Sequence, residues 1–335
     1  KYPDLSATAV REEAISLRGM VSRGIDPLQQ RRDREWAPDM RELADYYLSG
    51  HATTKRPKSI KDDRAMLDGH ILPRLKNRKV AAVSSHEIIQ LRNSMEDRPY
   101  RANRVLSLLG KMFSIAMQQR WREDNPARYV ERFIEEKRDR WLSIDELSRL
   151  TEALNQHPNQ SAANAIRLLI LTGARRSEVL SATWDQFDFE RGVWTKPSAH
   201  TKQKRTEHVP LSAAALSLLS QMHEATGEGS YLFPGNKPGS HLVELKRFWF
   251  SVCETANIEN ARIHDLRHTF ASHLVSSGHS LPLVGRLLGH TQPQTTQRYS
   301  HIADDPLREA ADRFGEMLTR AKEPVADRVV PIRSR

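Results

Sequence analysis

Residues 135–140 read Glu-Glu-Lys-Arg-Asp-Arg, six consecutive charged side chains. No hydrophobic core can take such a run, because each unpaired charge removed from water costs several kcal/mol. The run therefore reads as a linker and cuts the chain in two. At roughly 150 residues per domain, a chain of 335 residues leads to the same division. We read 36–137 and 141–320 as separate domains, with 1–35 ahead of them and a loose basic tail, 321–335, behind.

The opening 1–35 carries a short helical pattern over Ala9–Leu17, then the turn-prone Gly24-Ile25-Asp26-Pro27. It is too small to be a domain and reads as the remnant of a module whose beginning is missing, followed by a charged connector, Gln29–Glu35. From Trp36 to about Ile134 the pattern is helical throughout. Over 105–117, Val105, Leu109, Met112, Phe113 and Ala116 recur at the helical spacing and form one apolar stripe.

Charge is unevenly spread over this first domain. No acid occurs between Asp97 and Glu123, while Arg98, Arg101, Arg104, Lys111, Arg120 and Arg122 do. Lys55, Arg56, Lys58 and Lys61 form a second basic run, and Arg74, Lys76, Arg78 and Lys79 a third. One such run is ordinarily a solvated face. Three of them in a chain of net charge +10 point to a polyanion, and nucleic acid is the reading we adopt. No apolar run approaches membrane-spanning length and no secretory pattern opens the chain, so no membrane partner is expected. Cys253 is the only cysteine, which excludes an internal disulfide and a cysteine zinc site and fits a cytoplasmic protein. We read it as a small buried hydrophobe.

The second domain opens near Trp141, where Ser143 followed by Asp145-Glu146 makes a helix N-terminus. Helices then alternate with one β-rich stretch, about 186–211, in which Val193-Trp194-Thr195 and His208-Val209-Pro210-Leu211 flank a polar turn. The fold class is thus mainly α with a small β-sheet or hairpin in the second domain.

Four segments of this domain carry chemistry-bearing side chains. In Thr172-Gly173-Ala174-Arg175-Arg176-Ser177-Glu178, Gly173 breaks an apolar helix and Arg175 and Glu178 share one face of the next. Alone, that is a surface ion pair worth about 0–1 kcal/mol. Lys202 lies in the turn Thr201–Glu207, where a flexible lysine can reach a neighbouring site or simply meet solvent. In His264-Asp265-Leu266-Arg267-His268, the residues His264, Arg267 and His268 lie within about 140° of one another around a helix, while Leu266, Phe270 and Leu274 face a core. Two histidines at i and i+4 can bind zinc, but the intervening glutamate of that motif is missing and Arg267 opposes a cation. Finally, Ser280 caps a helix with Pro282 in its first turn and Gly289 as its stop. His290 follows at once, and Tyr299 nine residues later.

Taken together, these residue types can break a phosphodiester without metal. Two arginines grip the non-bridging oxygens and offset the charge of the transition state. A tyrosine attacks phosphorus to form a covalent ester. Its pKa near 10 calls for a group to take the proton, which His264 can do. Lys202 suits protonation of the departing 5′-oxygen, and His290 a hydrogen bond to the phosphate.

The order Arg175, Lys202, His264-x-x-Arg267, Gly289-His290, Tyr299 resembles that of the tyrosine recombinases, the phage integrase family. Each segment is weakly specific and the ordered set strongly so. The resemblance spans about 143–320 firmly and 36–137 more loosely, and the opening is similar to the end of the arm-binding module of prophage and genomic-island integrases. It implies a C-shaped clamp of a helical core-binding domain and a catalytic domain on double-stranded DNA attachment sites. It also implies a 3′-phosphotyrosine intermediate without cofactor or ATP, a homotetramer on paired sites passing through a Holliday junction, and a directionality factor or host DNA-bending protein as further partners. Leu307, Ala311, Phe314 and Leu318 form an apolar stripe that could pack on a neighbouring copy or on its own domain. The competing readings are a chromosome-dimer-type resolvase of the same chemistry, a metal-dependent nuclease using His264, His268 and His290, and a non-catalytic DNA-binding regulator.

Overall fold

The computed structural model describes residues 6–24, 26–28, 36–136, 138–197, 206–226, 230–300, 308 and 311–317. The chain forms two compact units, 1–137 and 138–335.

In the first unit, α1 (Ala7–Ser22) is capped by Ser6 and buries none of its residues. The rest is built from α2 (Met40–Ser49), α3 (Pro57–Met66), α4 (Leu72–Leu75), α5 (Ser85–Asn93) and α6 (Pro99–Gln118). Sequence explains the starts of these helices. Asp39 with Glu42, and Ser84 with Glu87, make reciprocal capping boxes that satisfy free N–H groups. Pro57 and Pro99 open α3 and α6, where a missing N–H costs nothing.

The expected stripe Val105, Leu109, Met112, Phe113, Ala116 is buried, but so are Leu106, Leu108 and Ile115. Helix α6 is therefore the centre of its unit rather than a surface helix, which a single-face pattern does not reveal. A polar knot supports the same core: the Tyr47 hydroxyl donates to Asp63 at 2.7 Å, and Lys55 donates to both.

The charged run is less free than its composition implies. Asn103 of α6 donates to the Phe133 carbonyl and the Glu135 carboxylate and accepts from the Phe133 N–H. In the second unit, Arg138 binds Asp265 at 2.7 Å and Arg140 pairs with Glu146. These charges are held by partners at the two ends of the run, an arrangement that composition alone does not encode.

The second unit begins with α7 (Ile144–Gln156), capped by the box of Ser143 and Glu146. The apolar α8 (Gln160–Thr172) ends at Gly173 in the left-handed region, φ +60°, and short α9 (Arg176–Leu180) follows. Strands β1 (Phe187–Asp188), β2 (Val193–Lys196) and β3 (Glu207–Pro210) form an antiparallel sheet in that order, with Trp194 opposite Val209 and Lys196 opposite Glu207. Helices α10 (Ala213–Thr226) and α11 (Lys246–Thr255) complete the main core, to which α11 contributes Trp249, Val252 and Cys253. Burial pushes the Cys253 thiol up to about 12, so it is inert at neutral pH.

Helices α12 (Asp265–Ser276), α13 (Leu281–Leu287) and α14 (Pro293–Gln297) make a smaller cluster of Ala271, Val275, Val284, Leu288 and Tyr299. Of the apolar stripe near the end of the chain, Leu307 and Leu318 lie outside the described residues. Phe314, in the helical stretch 311–317, is 62% exposed. Among the described residues no helix is long and apolar enough to cross a membrane.

Candidate active site

Arg175 stands directly before α9, where the chain has just left α8 through the turn at Gly173. Glu178, one turn into α9, accepts from the Arg175 backbone N–H at 3.1 Å and from its guanidinium at 2.6 Å. Oε2, which takes the backbone N–H, also accepts from Lys196 Nζ of β2 at 2.9 Å, while Oε1 takes the guanidinium. Burial by itself would raise the Glu178 carboxyl. Lys196 and Arg175 outweigh it, so Glu178 lies below the usual carboxylate range and is ionised at neutral pH. The exposed ion pair that the sequence permits is in fact a buried, three-membered network with a cation on each side of one carboxylate.

Arg267 projects from the first turn of α12 and is only 5% exposed. It donates to the Gly173 carbonyl at 2.8 Å and to the Leu288 carbonyl. Those oxygens lie where α8 and α13 end, a natural place for a cation. One side chain thereby fastens the segment leading to Arg175 and the segment leading to His290. Burial and the neighbouring Arg175 bring Arg267 down to about 10, which leaves it charged at neutral pH.

His290 follows Gly289, whose φ of +66° ends α13. The His290 N–H donates to the Gly285 carbonyl at 2.8 Å, and its Nδ1 lies 2.8 Å from the Thr296 hydroxyl. Burial, then Arg267 and Arg175, lower this imidazole to about 4, so it is neutral. Gly289 also lets the Glu207 side chain approach closely. A Cβ there would come within 2.4 Å of a Glu207 carboxylate oxygen. Both Glu207 oxygens are covered and have no hydrogen-bond partner among the described residues, and burial raises this carboxyl against the pull of Lys196.

Tyr299 is 4% exposed. Its hydroxyl lies 2.7 Å from Nδ1 of His268, not on His264. His264 caps α12 and meets the His268 ring edge-on, with ring centres 5.1 Å apart. Burial and then Arg298 lower His268 to about 4. Burial also lowers His264, with Arg267 next in effect. The Tyr299 phenol is raised by burial, against Arg298 and Arg267.

Of the six residues singled out from sequence, Arg175, His264, Arg267, His290 and Tyr299 gather around the ends of α8, α12 and α13. Lys202 lies outside the described residues. Three further participants fall outside those six. His268 stands in the sequence as a second histidine one turn on, weighed there only as a metal ligand. Lys196 looks like one more strand residue, and Glu207 like a charge beside a turn. Among the described residues no group of three or more His, Cys, Asp or Glu side chains is arranged to hold a metal ion.

Residues 140–305 match the sequence pattern of the "Phage integrase family", and residues 40–133 that of the "Phage integrase central domain". The "Prophage integrase IntZ" of Escherichia coli K12 is 25% identical over 297 residues, covering 84% of this chain and 72% of that protein. The "Integrase" of Escherichia phage 186 is 26% identical over 301 residues, covering 84% of this chain and 82% of that protein. In fold, the chain is similar to the lambda integrase of a tetramer bound to a Holliday junction, with a TM-score of 0.69 at 19% identity over 90% of this chain and 88% of that one. The chain belongs to the phage integrase family, the tyrosine recombinases.

Proposed function

We propose that this tyrosine recombinase uses Tyr299 as its nucleophile and Arg175 and Arg267 as the cradle for the scissile phosphate, with His264 and His290 beside them and Lys202 as the acid. The observation that carries this reading is the placement of Arg267. By holding the Gly173 and Leu288 carbonyls, it ties together the segments of Arg175 and His290, while His268 on its own helix meets the Tyr299 hydroxyl. A guanidinium has five N–H donors, and two contacts to carbonyls leave others for phosphate oxygens.

In the reaction the Tyr299 oxygen gives its proton to a neighbouring imidazole and bonds to phosphorus as the P–O5′ bond breaks. The departing 5′-oxygen takes a proton from Lys202, and the DNA 3′-end stays on the protein as a phosphotyrosine. Attack by a partner strand's 5′-hydroxyl reverses these events, so the bond energy is conserved and no ATP is consumed. The arginines stabilise charge that grows in the transition state, the largest contribution such donors make. The lambda enzyme crystallised as a tetramer on a Holliday junction, and we extend that assembly to this chain on paired attachment sites. A directionality factor or host DNA-bending protein would set the balance of integration and excision. The site of action would be the cytoplasmic nucleoid.

The test is covalent trapping in EDTA on nicked duplexes tiled from DNA flanking the gene. An adduct stable to SDS with the unmodified chain and absent with Tyr299→Phe is the expected result. Cleavage that appears only with a divalent ion would favour a nuclease, and binding without any adduct a regulator. A substrate confined to chromosome-dimer sites would favour the resolvase reading.

A further inference from the structure

The contact on the Tyr299 hydroxyl assigns a role to a residue outside the six. We propose that His268 is a catalytic residue: its Nδ1 takes the phenolic proton when Tyr299 attacks phosphorus and returns it when the phosphotyrosine is resolved. The inference rests on Tyr299 being the nucleophile.

Geometry comes first. The separation of 2.7 Å lies within the reach a general base needs, about 2.6–3.2 Å, and no other hydrogen bond of the Tyr299 hydroxyl is seen among the described residues. The rigid mounting of the pair also matters. His268 sits in the second turn of α12, between Arg267, fixed by two carbonyls, and Thr269, whose hydroxyl bonds the Asp265 carbonyl and accepts from the Leu142 N–H. Tyr299 is anchored through its N–H on the Thr296 carbonyl and through its place in the cluster of Val284 and Leu288. His264, by contrast, stands one ring behind, in contact with His268.

The charges around His268 keep it ready to accept. Arg298 next to Tyr299, His264 before α12, and Arg267 and Asp265 on its own helix all act on it, and burial is the largest influence. The result, about 4, makes the ring neutral at physiological pH. A neutral imidazole can accept at Nδ1 if its proton is on Nε2. Resting phenol and resting imidazole are poorly matched, since burial raises one and lowers the other. Two events close that gap. The phosphodiester brings a negative charge that favours an imidazolium, and the phenol oxygen loses basicity as its bond to phosphorus forms. The proton balance is complete: Nδ1 gains a proton in cleavage and gives it to the tyrosine oxygen in religation, while the 5′-oxygen is served separately.

The experiment compares the unmodified chain, His268→Asn and His264→Asn in single-turnover cleavage of the adduct-forming nicked duplex. Each is run with an ordinary 5′-oxygen and with a 5′-bridging sulfur, which needs no acid to leave. Asparagine places an acceptor near the Nδ1 position but cannot carry the proton. His268→Asn should bind the duplex normally and cleave on the order of a hundredfold more slowly. Its rate should climb with pH where that of the unmodified chain is level, and sulfur should not restore it. A wild-type rate, a slow rate with an unchanged pH profile, or the same signature in His264→Asn instead would overturn the proposal. Absence of any adduct with the unmodified chain would instead strike at Tyr299 as nucleophile. Without DNA, 15N-histidine spectra should show His268 protonated on Nε2, with an Nδ1 signal that moves in Tyr299→Phe. A proton resident on Nδ1 would contradict the assignment.

Discussion

Arg267 donates to the carbonyl oxygen of Gly173 at 2.8 Å, so a side chain of α12 holds the turn from which Arg175 emerges. The same glycine could not be another residue. Its φ is +60°, and an added Cβ would fall 2.4 Å from the Phe270 ring of α12. The close approach of α8 and α12 at that glycine therefore sets the spacing between the two arginines.

Replacing Arg267 should act on chemistry and position together. Lysine keeps the charge but cannot bridge the Gly173 and Leu288 carbonyls with a planar fork. Arg267→Lys should lose about 3–4 kcal/mol of transition-state stabilisation, the scale seen when one oxyanion donor is removed. Single-turnover cleavage at saturating protein reads this directly, and near-normal cleavage would take Arg267 out of the site.

Glu178 joins Arg175 to Lys196, and Lys196 is 2% exposed. Glu178→Gln leaves that ammonium buried without its hydrogen-bonded counter-ion, which should cost about 3–5 kcal/mol of stability. Because the folded-state pKa of Glu178 is lowered, its contribution is present above the unfolded carboxylate range and fades as pH falls through the folded value. Thermal melts should therefore show the largest gap from the parent at neutral pH, narrowing in acid.

Glu207 has the opposite sign. Its folded-state pKa is raised by burial, so stability is lost as pH rises from the unfolded carboxylate range through the folded value. Glu207→Gln should melt higher than the parent at pH 8 and lose that advantage in acid. An unchanged or lower melting temperature at pH 8 would show that Lys196 compensates the charge.

His268 and His290 are both held neutral, at about 4. A histidine with a lowered folded-state pKa contributes stability that is lost as pH falls from about 6.5 toward the folded value, because the unfolded chain takes up the proton first. Stability should thus fall over that window. His268→Asn and His290→Asn should each flatten the slope.

Much of this was legible in sequence because it depends on local rules. Ser143 with Glu146, the stop at Gly173 and the break at Gly289 are backbone requirements, and each appears where the residue types place it. The i, i+3 spacing likewise foretold the bond from Arg175 to Glu178. What escaped depends on distant segments meeting. Lys196 finds Glu178 across 18 positions, and His268 finds Tyr299 across 31. Neither spacing has a periodicity to reveal it. Glu207 escaped for a different reason: a covered carboxylate without a hydrogen-bond partner among the described residues breaks the rule by which sequence assigns charges to the surface. In the charged run 135–140, Arg138 and Arg140 are pinned to Asp265 and Glu146, because charges that water could solvate also make good ties.

The central claim is that Tyr299 becomes covalently joined to DNA. Protein trapped on its nicked duplex in EDTA would be digested with protease and nuclease, and the surviving peptide–nucleotide adduct sequenced by mass spectrometry. One linkage is expected, between the Tyr299 oxygen and a 3′-phosphate, with a free 5′-hydroxyl on the released strand. A linkage at another residue, or to a 5′-phosphate, would contradict it.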